Sequence, residues 1–82
     1  GANDEKQGKF FVVDEVTLSE DGEYVSVIDT NQSLVATIDK KANKNYAEIK
    51  AGDNLVIWYN MLTMSIPAKT NAQKVVVLTE QE

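Results

Sequence analysis

The chain has 82 residues, a net charge of -5 and no Arg, His or Cys. That length suits one domain with a modest core, and the missing residue types exclude thiol, imidazole, disulfide and ordinary zinc chemistry. Apolar residues at 43 % against 26 % charged exclude a disordered tract, and the acidic balance speaks against broad binding to nucleic acid or anionic membrane.

Residues 1–8 read as a flexible tether, polar and charged from Ala2 to Gln7. Gly1 in place of a starting Met looks like the scar of tag removal, so the expectation is a native leader upstream, with a possible lipid anchor. The first strand signal is Lys9–Leu18. Phe10, Val12, Val16 and Leu18 share one parity while Phe11 and Val13 take the other, which predicts a strand covered on both faces or a bulge. Ser19-Glu20-Asp21-Gly22-Glu23 is a hairpin turn, because Gly accepts positive φ. Strands follow at Tyr24–Asp29 and, after the turn Thr30–Ser33, at Leu34–Asp39, where Leu34, Ala36 and Ile38 alternate with Val35, Thr37 and Asp39.

Lys40 to Glu48 keeps no apolar stripe and reads as a loop with one helical turn. Gly52-Asp53 then launches a fourth strand, Asn54–Asn60; Gly supplies backbone freedom and Asp a local hydrogen-bond acceptor, so the pair is a turn device before it is a ligand. Met61 to Gln73 is a long connection broken by Pro67, and Lys74–Thr79 is the last strand, leaving 80–82 as a tail. No run reaches the roughly 18 apolar residues of a membrane span. The fold class is therefore all-β. Three meandering strands, a short helix or loop, then two more match a five-stranded OB-like barrel over residues 9–79.

The opening strand Phe10-Phe11-Val12-Val13-Asp14, the Asp-Gly hairpin, the lead Ile49-Lys50-Ala51-Gly52-Asp53 and the step Ser65-Ile66-Pro67-Ala68 resemble a family of small bacterial domains of unknown function, number 3221, found mainly in Gram-positive lipoproteins and secreted proteins. The resemblance covers most of residues 9–79, and Ile66 stands where the family pattern leads one to expect an aromatic. It implies an OB-like barrel outside the cytoplasmic membrane. It assigns no catalytic residue and no cofactor.

No constellation announces a reaction. Glu20, Asp21 and Glu23 lack the EF-hand pattern and read as a solvated hairpin tip. Asp14 and Glu15 are adjacent on a strand and point to opposite faces, so they do not form an acid–base pair. A serine nucleophile would need one of the eight lysines as base, and no Ser-x-x-Lys is present. Asn31-Gln32-Ser33 fits the glycosylation pattern only by coincidence in a bacterial-looking chain. The expectation is a protein that is not an enzyme.

Two surfaces remain as candidates. Trp58 and Tyr59 fall on opposite faces of their strand, so at most one is fully core and the other is free to make a contact. Downstream, Met61, Leu62, Met64 and Ile66 form an apolar cluster. Such loops often fold back to plug a barrel end, which is the first expectation here; an adaptable partner surface is the second. The candidate contact surface is thus Trp58, Tyr59, Met61, Met64, Ser65 and Pro67, facing an unknown protein or envelope component. The alternative is an OB-type oligosaccharide or single-stranded nucleic-acid binder using Lys40, Lys41, Lys44 and Lys50, although nucleic acid is disfavoured without Arg or an aromatic ladder. A monomeric, non-enzymatic binding or accessory domain of an envelope or secreted protein is the overall expectation.

Overall fold

Six strands make one curled, half-barrel sheet in the computed structural model, which describes residues 8–78. They are β1 (Lys9–Leu18), β2 (Tyr24–Asp29), β3 (Leu34–Asp39), β4 (Asn54–Trp58), β5 (Ala68–Asn71) and β6 (Lys74–Val77), in the spatial order β5-β3-β2-β1-β4-β6. All neighbours are antiparallel except β3 and β5, which run parallel. The segment expected as a tether (but for Gly8), Thr79 and the expected tail 80–82 lie outside the described residues.

The bulge settles the double parity of β1. Val13 pairs with Asp29 and Glu15 with Ile28, leaving Asp14 as an extra residue. Phe11 and Val13 face the core before it, and Val16 packs against the core after it. A bulge bends its strand. Here the bend lets one strand serve two neighbours: Lys9–Val12 pairs with β4 and Val13–Leu18 with β2.

Alternation in β2 and β3 is as regular as the sequence implies. Val25 and Val27 face Ile38 and Ala36 inside the curl, where all four are buried. Leu55, Ile57 and Val75 fill the other side of the same core. Each turn is held by a short polar side chain. Asp29 is itself buried, and its carboxylate accepts the Ser33 N–H at 2.7 Å, the Ser33 hydroxyl at 2.8 Å and the Leu34 N–H at 3.1 Å. Asp53 accepts the Lys50 N–H at 3.0 Å, with Gly52 at φ +94 between them.

The five-strand expectation is corrected to six, and the fourth strand ends at Trp58. The added strand is β5, inside what the sequence presents as a connection. Ala68-Lys69-Thr70-Asn71 has no apolar alternation of its own; pairing with β3 makes it a strand, with Thr70 turned inward. At Ala72-Gln73 the chain changes partners. The Ala72 N–H donates to the Thr37 carbonyl at 2.9 Å and the Gln73 N–H to the Trp58 carbonyl at 2.7 Å. The last strand accordingly starts at Lys74 and stops at Val77.

The Lys40–Glu48 connection contains a single 3-10 turn at Tyr46–Glu48. It is tied down at both ends. The Tyr46 hydroxyl donates to the Gly22 carbonyl of the first hairpin at 2.6 Å. On the other side, the Val75 N–H donates to the Ala42 carbonyl at 3.0 Å, and the Asn43 amide donates to the Val75 carbonyl at 2.9 Å.

Candidate contact surface

The connection from β4 to β5 is a built loop. Its closure starts at the base, where the Thr70 hydroxyl donates to the Met61 carbonyl. The Thr63 N–H donates to the Lys69 carbonyl at 2.9 Å, and the Lys69 N–H returns to the Thr63 hydroxyl oxygen at 2.9 Å. Thr63 Oγ1 and Ser65 Oγ lie 2.7 Å apart, and the Ser65 hydroxyl donates to the Pro67 carbonyl at 2.8 Å. The Ser65 proton is thereby committed, so Thr63 is the donor between the two hydroxyls. The Ile66–Pro67 peptide is cis.

This closure turns the apolar side chains outward. Met64 is 100 % exposed, Ile66 97 %, Met61 76 % and Leu62 48 %. The expected plug of a barrel end is therefore not formed. Leu55, Ile57 and Val75 already fill the interior, and the loop's own polar network holds it away from that core. Ser65 and Pro67 serve as struts: Pro67 is half-buried and Ser65 spends its hydroxyl inside the loop.

Trp58 and Tyr59 are both half-buried, and neither is fully core. Trp58 sits on the outer face of the sheet, since its neighbour Ile57 points inward. Its strand partner is Lys74, whose ammonium lies 5.1 Å from the ring centroid. A Cβ at Gly8 would come within 2.8 Å of the indole ring and 2.2 Å of Val56, so only glycine lets β1 begin there without a shift. Across this outer face Phe10, Val56 and Val76 form one row over β1, β4 and β6. Phe10 is 59 % exposed. Sequence reasoning did not single out this row; its signal was the presence of apolar residues at both parities in Phe10–Val13 and Val75–Leu78.

The four lysines of the alternative surface are all exposed. Lys50 is engaged by Asp53, Nζ to Oδ1 at 3.1 Å. A groove of about 510 Å³ runs between the 43–53 segment and β6, and it takes Lys50 together with Glu48 and Asp53 among its charged lining. Lys40, Lys41 and Lys44 do not line it. Two carboxylates of this acidic surface are engaged locally: in the first hairpin Asp21 accepts the Ser19 hydroxyl at 2.7 Å and the Glu23 N–H at 3.0 Å, and at the β1 bulge Asp14 accepts the Gln32 amide at 2.7 Å. The Glu23 N–H and then the Ser19 hydroxyl hold the Asp21 carboxyl below its ordinary pKa. Among the described residues no three His, Cys, Asp or Glu side chains come together as a metal site.

Comparison with protein families matches residues 3–79 to the model of a protein of unknown function, DUF3221. The chain belongs to this family. The match spans every strand of the sheet, and the quoted features of the resemblance occupy defined places in this DUF3221 domain. Phe10–Asp14 is the β4-facing half of β1 with its bulge, Gly52-Asp53 is the turn against that bulge, and Ser65–Ala68 closes the exposed loop. No curated protein and no solved structure matches the chain.

Proposed function

We propose that this DUF3221 domain is a non-enzymatic binding or accessory module of a bacterial cell-envelope or secreted protein. It works as a monomeric OB-like barrel, with the fifth strand of such a barrel broken into β5 and β6. The parallel β3–β5 pair and the sharing of β1 between two neighbours support that reading of the fold. The contact surface is the Met61–Pro67 loop, flanked by Tyr59 and Trp58.

One observation carries the proposal. A hydrogen-bonded loop presents Met64 and Ile66 with essentially all of their surface in water. Apolar area held out in this way is a site of association, because a loop free to collapse would bury it. The OB-type anion reading using Lys40, Lys41, Lys44 and Lys50 has less behind it, since Asp53 already engages Lys50.

The test is capture of an envelope partner with Met61→Ser/Met64→Ser. Loss of capture with an unchanged melting temperature is expected; undiminished capture would remove the surface assignment. A lipobox cysteine ahead of this domain in the gene product is the matching expectation for its location.

A further inference from the structure

We infer that the Met61–Pro67 loop docks on a lipid bilayer, with Met64 and Ile66 entering the acyl boundary. The inference rests on the contact-surface reading above and names what that surface meets.

Three observations converge. The first is the projecting apolar tip, with Met64 and Ile66 almost fully exposed and Met61 and Leu62 behind them. The second is the state of the tip's polar side chains. Thr63 Oγ1 takes the Lys69 N–H and donates to Ser65, and Ser65 donates to the Pro67 carbonyl. Both hydroxyl protons already have acceptors within the loop, which lowers the cost of moving these two side chains out of water.

The third observation is charge. Residues 54–78 contain no Asp or Glu, and their only charged side chains are Lys69 and Lys74. The net charge of -5 arises elsewhere in the chain, and Lys69 belongs to the loop's own hydrogen-bonded base. The general argument against anionic surfaces concerns the whole acidic molecule. Within residues 54–78 the balance is reversed, with two cations and no carboxylate. An apolar tip with flanking cations is the pattern of interfacial insertion.

The experiment is co-sedimentation of the intact chain with vesicles of phosphatidylcholine and phosphatidylglycerol in equal parts, beside the Met64→Ser/Ile66→Ser variant. Both side chains are solvent-facing, so the variant should melt like the parent. The parent is expected to sediment with the vesicles, and the partition coefficient of the variant to fall about tenfold or more for each side chain replaced. A parent that stays in the supernatant overturns the inference, as does equal sedimentation of the two proteins. Envelope-partner capture with the same variant separates the two readings. Loss of capture without vesicle binding by the parent removes the bilayer and keeps the contact surface, whereas loss of neither removes both.

Discussion

Asp29 shows how much of this fold depends on single polar side chains. It is buried at the end of β2 and receives three hydrogen bonds from the turn that starts β3. Burial alone would raise its pKa, but the Ser33 hydroxyl and the Ser33 and Leu34 N–H groups favour the charged form and together hold it below the ordinary value. A carboxyl whose folded pKa lies below its unfolded one stabilises the fold above the unfolded value, about 3.9, and that contribution fades as pH falls through the folded value. Asp29→Ala should therefore cost about 2–3 kcal/mol near neutral pH, since it strands the part-buried Ser33 N–H and the buried Leu34 N–H. Urea midpoints should show it, and the gap between parent and variant should narrow as the acid limb is approached. A gap that stays constant into the acid limb would mean that the carboxylate's charge is not what holds the turn.

At the scale of elements, turns and alternation were the readable part. β1, β2 and β3 have the bounds read from the sequence, because Asp-Gly and Asp–Ser turns bracket apolar-rich runs, alternating in β2 and β3 and of double parity in β1. Gly52 belongs to the same grammar. It adopts φ +94 with open space around it, so Gly52→Ala meets no clash and should cost only about 1 kcal/mol through backbone strain. A thermal melt checks this, and a loss several times larger would point to a role beyond the turn. β5 was not readable, because Lys69, Thr70 and Asn71 become a strand only through the partner that β3 supplies. The outward set of Met64 and Ile66 was hidden for a related reason. Apolar character says that a side chain prefers burial, but the direction of a loop is decided by bonds such as Thr63 to Lys69 that join residues six apart. The candidate contact residues were thus legible as residue types but not as a surface.

Across the whole molecule, one small core carries both halves of the sheet. Phe11 and Val13 on β1, Val25 and Val27 on β2, Ile38 on β3 and Leu55 and Ile57 on β4 are all but fully buried together. A hole cut at one wall should be felt at the other. Ile57→Ala is expected to lose about 2–5 kcal/mol, a large share of the stability of a domain this size. The loss should appear as a shift in urea midpoint with unchanged slope; a second, separate transition would show that the halves unfold independently. The way the sheet ends matters as much as the way it is filled. Val75-Val76-Val77-Leu78 is a short, uncharged, valine-rich run at the sheet margin, the composition that recruits identical segments into cross-β stacks. Ala42 and Asn43 occupy both main-chain groups of Val75 on that margin. The connection between β3 and β4 therefore also covers this margin at Val75, taking two hydrogen bonds that an added strand would otherwise make.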